Sequence, residues 1–302
     1  MQNIKRQSGS GWLGCERIPV MTKQYAVVGS PISHSKSPII HRAAHRVLSL
    51  DWNYSAVEIS EGRLLQFLET LDDSWHGLSV TMPLKLEATR LASELDPVAQ
   101  VTRVTNTLCR TQQGWKGFNT DVFGIQSALK DSISSGAPRV MILGSGATAT
   151  SAVFAVLLSN PASKVTVVAR DAMKAKQTRS LALDAGFSID IRSFKALYRS
   201  LAAADIVIST LPAGALDSYA TKLGRNWFFK PRGLFFDIAY SSWPSAFASA
   251  WVARSLPAVS GIEMLIFQAI AQLRVFTSGD VDAALPNERA VELAMRDSLG
   301  LI

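Results

Sequence analysis

The sequence predicts an α/β protein of two domains, the second built on a doubly wound parallel sheet. Three observations carry this expectation. Short apolar runs alternate with segments of helical period along most of the 302 residues, the pattern of strands separated by covering helices. Hydrophobic residues make up 48% of the chain and charged residues 18%, which suits two packed cores and excludes wholesale disorder. The apolar run Val140-Met141-Ile142-Leu143 passes directly into Gly144-Ser145-Gly146 and a helix start, the strand–turn–helix that opens a dinucleotide-binding unit.

In order, Tyr25–Gly29 reads as a strand, residues 30–38 as a loop, and Ile39 to about Leu48 as a helix. Tyr54–Ile59 is a second strand. Arg63–Leu71 is a helix with Leu64, Leu65, Leu68 and Leu71 on one side. Leu78–Thr81 is a third strand, and Leu84–Leu95 a helix stopped by Asp96-Pro97. Asn106–Arg110 and Trp115–Phe118 form a hairpin around Gln112-Gln113-Gly114. A helix follows at Asp121–Lys130, then a Ser/Gly/Pro linker at 132–138. The second series has strands at Arg139–Leu143, Lys164–Ala169, Ser188–Arg192, Ile206–Ser209 and Leu234–Ile238. Its helices are Ala149–Leu158, Lys174–Ala185 and Leu197–Ala204, and two more helices, Gly261–Thr277 and Asn287–Leu299, close the chain. Strands separated by helices imply a parallel sheet covered on both faces.

Several function classes fall away. The two cysteines, Cys15 and Cys109, lie far apart and outside any CxxC or Cys/His cluster, so neither a disulfide scaffold nor a metal site is expected, and a reducing cytoplasmic setting fits. The net charge of +7 suits solubility or attraction of anionic ligands. No dense basic run with interleaved aromatics points to nucleic acid. Residues 140–163 carry no charge, but their glycines, hydroxyls, Asn160 and Pro161 fit a strand, a turn and a buried helix better than a membrane span. Residues 1–21 lack a long apolar stretch and read as a disordered extension, with Met21 as an alternative start.

In the glycine turn, Gly144 permits the tight bend and Gly146 admits a pyrophosphate to the backbone. Ser145, Ala147 and Thr148 surround it, and Ala149 stands where the fingerprint permits alanine for its third glycine. The helix N-terminus then offers free N–H groups and partial positive charge. This is a Rossmann-type signature. At the end of the second strand, Arg170 and Lys174 can hold a ribose 2′-phosphate, while Asp171 can accept from a free 2′-hydroxyl or cap the helix. Two cations against one anion favour NADP over NAD.

Three further groups carry chemistry. Ser33, Ser35 and Ser37 cluster at a helix start, where donors and the helix dipole suit a carboxylate, although one serine acting as a simple cap would look the same. Lys85 follows a strand end and Met82-Pro83. A lysine held in such a cleft can act in proton transfer, although most lysines are only surface charges. Asn106-Thr107 and Asn119-Thr120-Asp121 stand at strand ends and can present amides and a carboxylate to a polyhydroxylated substrate.

Together these strings resemble the shikimate dehydrogenase family. The matching segments, in family order, are residues 28–38 (Val-Gly-Ser-Pro-Ile-Ser-His-Ser-Lys-Ser-Pro), 80–85 (Val-Thr-Met-Pro-Leu-Lys), 106–108, 119–124, the glycine turn, and 261–269. The resemblance implies NADPH-dependent reduction of 3-dehydroshikimate to shikimate. It implies that Lys85 and Asp121 form the catalytic pair, that Ser35 and Ser37 bind the substrate carboxylate with Tyr240 nearby, and that Thr81, Asn106 and Gln268 contact its hydroxyls. Gly261 would lie by the nicotinamide. The substrate domain would be residues 22–122, rejoined by 259–302, with the dinucleotide domain at 123–258. A cytoplasmic monomer or homodimer, acting on a small molecule without membrane or nucleic acid, is expected. An NAD-dependent quinate/shikimate dehydrogenase and a non-catalytic sensor on the same fold are the alternatives. The chain departs from the family pattern at Arg103-Val104-Thr105, at Ala147, at Ala169 and Asp171, and at Ser241-Ser242.

Overall fold

A computed structural model describes residues 22–133, 136–225 and 231–302. The expected extension 1–21, with Cys15 and Met21, lies outside the described residues. The first unit contains β1 (Lys23–Gly29), α1 (Ser37–Val47), β2 (Trp52–Glu58), α2 (Leu64–Glu69), β3 (Trp75–Val80), α3 (Lys85–Leu91), β4 (Glu94–Leu95), α4 (Pro97–Thr102), β5 (Thr107–Thr111) and β6 (Gly114–Phe118). Its strands form a six-stranded sheet in the order β2-β1-β3-β5-β6-β4. β1 runs parallel to β2 and β3, while β5 pairs antiparallel with both β3 and β6. That mixed pattern follows from the tight β5–β6 hairpin, which reverses the chain without a crossover helix.

The second unit begins with α5 (Thr120–Ala128) and α6 (Lys130–Ile133). It continues with β7 (Arg139–Leu143), α7 (Ala147–Ser159), β8 (Lys164–Ala169), α8 (Ala172–Asp184), β9 (Ile189–Ser193), α9 (Leu197–Ala203), β10 (Ile206–Ser209) and α10 (Asp217–Arg225). Then come β11 (Leu234–Asp237), α11 (Ala246–Val252) and β12 (Ala258–Ser260), after which α12 (Gly261–Ser278) and α13 (Glu288–Ser298) return to the first unit and pack against Ile40 and Ala44 of α1. All six strands are parallel, in the order β12-β11-β10-β7-β8-β9. The chain winds outward from β7 to β9, then crosses to β10 and winds the other way. The switch point between β7 and β10 opens a crevice at the carboxyl ends of the strands, where such sheets bind ligands.

Each face of this second sheet has its own core. Val140, Ile142, Val165 and Val167 pack under α7, while Met141, Leu143, Val168 and Val207 pack under α9 and α11. The uncharged stretch 140–163 is explained by this burial: Ala152 to Val156 are all fully enclosed. Among the described residues no helix is long and apolar enough to cross a membrane.

The structure departs from the sequence expectation in a few places. The expected helix Leu84–Leu95 ends at Leu91, and β4 then pairs with β6. Asp96-Pro97, expected only as a stop, also starts a helix: the Asp96 carboxylate accepts from the N–H groups of Val98 and Ala99, and Pro97 takes the first helical position. Helices α10 and α11 and the three-residue β12 were not anticipated. β12 pairs with β11 as far as Ser260, so the second sheet extends past 258.

Helix α4 ends on Arg103, an exposed residue in the left-handed region at φ 53°. A side chain there costs about 1–2 kcal/mol that glycine escapes, offset in part by glycine's greater freedom in the unfolded chain. Arg103→Gly should therefore stabilise the protein by about 0.5–1 kcal/mol in urea unfolding. A loss of stability in that variant contradicts the assignment of strain to this residue.

Candidate active site

A cavity of about 310 Å³ opens between the two sheets. Its floor is set by the register of β3, β5 and β6: Ser79 faces Thr107, and Thr107 faces Phe118. This register carries the starts of α3 and α5 to one point. Lys85 opens α3 and Asp121 lies in the first turn of α5. Lys85 Nζ donates to Asp121 Oδ2 at 2.5 Å, with the two side chains only 12% and 5% exposed. A pair so far from water is little screened, and its partners must satisfy the remaining lone pairs.

Asn106 supplies one of those partners. The backbone N–H of Thr120 donates to Asn106 Oδ1 at 2.8 Å, which fixes the amide's orientation without ambiguity. Asn106 Nδ2 therefore faces Asp121 Oδ1 at 2.8 Å and Thr120 Oγ1 at 2.9 Å. Both of its amide hydrogens are engaged, so Asn106 reaches a substrate hydroxyl only by giving one up. Asn119 points elsewhere: its amide donates to Thr102 and Ser151, tying α4 to α7.

The rest of the cavity wall comes from loops and helix ends. Ser35, Ser37, Thr81, Tyr240, Gly261 and Gln268 all line it. Ser35 Oγ accepts from the Ser37 N–H at 3.3 Å, and Lys36, not a serine, occupies the helix cap position with no side-chain cap bond. The hydroxyls of Ser37 and Thr81 make no hydrogen bond to another described residue, which leaves them available to a ligand. Gln268 Nε2 donates to the Leu265 carbonyl, leaving its oxygen toward the cavity. Burial pushes the Tyr240 phenol up, and its hydroxyl meets the Lys36 backbone, joining the second unit to the first across the cleft.

α12 approaches α5 closely because Gly124 has no side chain. A Cβ there would lie 2.8 Å from the Met264 carbonyl and 2.9 Å from Gln268 Cβ. The gap one residue type leaves thus brings Gln268 to the same cavity as Asp121. Gly261, at the head of α12, packs against the Ile238 carbonyl.

The glycine turn stands at the crevice of the second sheet. Gly144 has φ 120° and donates its N–H to Val168, and a side chain there would meet Thr210. Gly146 caps α7 without a side-chain bond, and the space above its Cα is open. An uncapped 13-residue helix facing open space suits a dinucleotide pyrophosphate. Of Ser145, Ala147, Thr148 and Ala149, Thr148 alone reaches the cavity; Ala149 is buried in the sheet's core. Arg170, Asp171 and Lys174 lie outside the cavity, exposed at the end of β8. Asp171 Oδ1 accepts from the N–H groups of Met173 and Lys174, so its charge is engaged at the start of α8.

Ser79 and Gln272, and Tyr54 hydrogen-bonded to Ser79, were not among the expected site residues. Ser79 and Gln272 line the cavity. Gln272 stands four residues after Gln268 on one helix face, a signal that was readable in the sequence. Tyr54, on β2, carried none.

A dinucleotide crevice joined to a polar cleft containing a Lys–Asp pair defines a two-domain oxidoreductase of the nicotinamide-dependent class. The family model described as shikimate dehydrogenase substrate binding domain matches residues 27–108, and that described as shikimate / quinate 5-dehydrogenase matches 127–240. The chain belongs to the shikimate dehydrogenase family. A shikimate dehydrogenase (NADP+) of Syntrophobacter fumaroxidans is 32% identical over 263 residues, covering 86% of this chain and 89% of its own. Shikimate dehydrogenase of Mycobacterium tuberculosis superposes with a TM-score of 0.78 at 35% identity, over 91% of this chain and 99% of its own. The Thermus thermophilus enzyme, solved in complex with NADP(H) and shikimate, gives 0.74 at 25% identity, over 92% and 100%.

Behind the cavity lie two buried histidines, His41 and His45. Burial pushes His41 well below the usual imidazole range and holds His45 down to about 4. The unfolded chain takes up these protons from about pH 6.5 downward while the fold refuses them. Stability should thus fall as pH drops from about 6.5 toward 4, with His45 alone costing about 2 kcal/mol at pH 5. Urea midpoints measured from pH 7 to 4.5 test this: His45→Phe should flatten the slope, and a wild-type slope in that variant would refute the assignment.

Proposed function

We propose that this chain is a shikimate dehydrogenase that reduces 3-dehydroshikimate reversibly to shikimate with NADPH, in the cytoplasm, as a step of aromatic amino-acid biosynthesis. It acts as a monomer or homodimer. The observation that carries the reading is the Lys85–Asp121 pair, 2.5 Å apart, at the base of a cavity whose rim presents the hydroxyls of Ser35, Ser37 and Thr81.

Residues 22–122 with 259–302 form the substrate domain in this reading, and 123–258 the dinucleotide domain. Ser35 and Ser37 donate to the substrate carboxylate at the head of α1, with Tyr240 beside them. Thr81, Gln268 and Asn106 contact its hydroxyls. Asp121 orients Lys85, and Lys85 Nζ delivers a proton to the carbonyl oxygen as it becomes an alkoxide. NADPH, when bound, supplies the hydride for that carbon. The free N–H groups of Gly146, Ala147 and Thr148 hold its pyrophosphate. Arg170 and Lys174 would hold the 2′-phosphate, two cations against the one acid Asp171, whose Oδ1 caps α8.

Following NADPH absorbance on addition of 3-dehydroshikimate tests the activity, with NADH and quinate as comparison arms. NADPH with 3-dehydroshikimate should be the fastest pair; a preference for NAD with quinate overturns the reading. Lys85→Ala should lower kcat by about 10²–10⁴-fold in a protein that still folds, although its melting temperature should drop because Asp121 loses its buried partner, and near-normal turnover in that variant would remove Lys85 from its role. Arg170→Ala should raise the KM for NADPH about tenfold and leave that for NADH unaltered, a loss typical of one charge-assisted contact. Equal effects on both cofactors would show that Arg170 does not read the 2′-phosphate.

A further inference from the structure

A run of buried hydrogen bonds enters the site from behind. Tyr54 Oη lies 2.6 Å from Ser79 Oγ, Ser79 Oγ 2.8 Å from Gln272 Oε1, and His41 Nε2 3.2 Å from the same oxygen. On its other side Gln272 Nε2 lies 3.1 Å from Thr107 Oγ1 and 3.4 Å from the Asn106 carbonyl. Thr107 Oγ1 lies 2.9 Å from Asn106 Oδ1.

A backbone carbonyl only accepts, so the Gln272 group facing Asn106 is its NH₂. Its oxygen then faces Ser79 and His41, which must both donate. Ser79 has one hydrogen and gives it to Gln272, so Tyr54 donates to Ser79. On the other side, Thr107 accepts from Gln272 and gives its own hydrogen to Asn106 Oδ1, where Thr120 N–H also points. With Oδ1 held from two sides, the Asn106 NH₂ is aimed at Asp121. Every donor from Tyr54 onward runs one way and ends on the carboxylate that holds Lys85.

We propose that Gln272 is a positioning residue for the reaction: through Thr107 it locks the Asn106 amide, and through Asn106 it fixes the Asp121 carboxylate against Lys85. Gln272 is 2% exposed and both ends of its amide are engaged within the protein, so it acts through these neighbours and not on the substrate. His41 serves the same end. Its Nε2–H fixes the Gln272 amide; Nδ1 is buried with no hydrogen-bond partner among the described residues, so the neutral ring's one hydrogen belongs on Nε2. Stacking on Tyr54, 4.0 Å between ring centres and 8° from parallel, holds that ring in place.

The inference rests on the catalytic reading of Lys85 and Asp121, and the test separates the two. In the full-length protein, Gln272→Met and Thr107→Val should each lower kcat about tenfold, the scale of one buried polar link, and leave the KM for NADPH unchanged. Because both act through Asn106, the double variant should lose no more than the poorer single one. A wild-type kcat in Gln272→Met, or losses that multiply to about 100-fold in the double variant, would overturn the proposal. Melting temperatures identify a variant that has lost its fold, and Thr107→Val, which keeps the side chain's shape, then carries the test. A second readout needs no turnover: the Asn106 side-chain amide signals, assigned by their loss in Asn106→Ala, should shift in Gln272→Met without substrate. Unshifted signals would likewise overturn it. If the wild-type chain fails to turn over 3-dehydroshikimate, the catalytic reading falls, while the amide signals still decide the link from Gln272 to Asn106.

Discussion

Lys85 and Asp121 form a charge-assisted hydrogen bond at the base of a cleft, almost out of reach of water. Moving two charges there costs several kcal/mol of hydration, and their attraction offsets this only with close geometry and further donors. Much of the first unit meets that demand. The antiparallel register of β3, β5 and β6 sets where α3 and α5 begin, and a slip of one residue would turn Asn106 and Ser79 to the opposite face. Asn106 supplies a donor to the second carboxylate oxygen. Gly124 lets α12 close over the same point.

The second unit is organised around a different need. Its parallel sheet buries both faces in separate apolar cores, which leaves polar function to the carboxyl ends of the strands. There Gly144 turns the chain and α7 presents an uncapped N-terminus. The two units meet where Tyr240 touches the Lys36 backbone and where α12 leaves β12. One helix thus begins at the dinucleotide sheet and delivers Gln268 and Gln272 to the substrate side.

Most strands and long helices were legible because their signals are local. An apolar run bounded by glycine or proline, such as 139–143, appears with the expected bounds. The elements not foreseen depend on what surrounds them. β12 has three half-buried residues and exists because β11 offers it an edge. α11, rich in alanine, begins at the Ser245 cap. Asp96-Pro97 is locally ambiguous, and only β4 pairing decides that one helix ends and another begins there. In the site, residues at strand ends and helix starts stood out by motif: Ser35, Ser37, Lys85, Asn106 and Asp121. Tyr54, Ser79 and His41 did not, and Gln272 offered only its spacing from Gln268, because their bond chain joins residues up to 231 positions apart and exists only once the sheet and α12 are packed. Asp171 was ambiguous in sequence, and in the fold its Oδ1 caps α8 by accepting from Met173 and Lys174.

Asp121→Asn keeps the shape of the carboxylate and removes its charge, so it addresses the Lys85–Asp121 bond more directly than any change of volume. The decisive measurement pairs its kcat with shikimate affinity by calorimetry. If the charge holds Lys85 for proton transfer, kcat should fall about 10²-fold or more while the dissociation constant stays within about tenfold of wild type. A wild-type kcat in Asp121→Asn would contradict the role given to the pair.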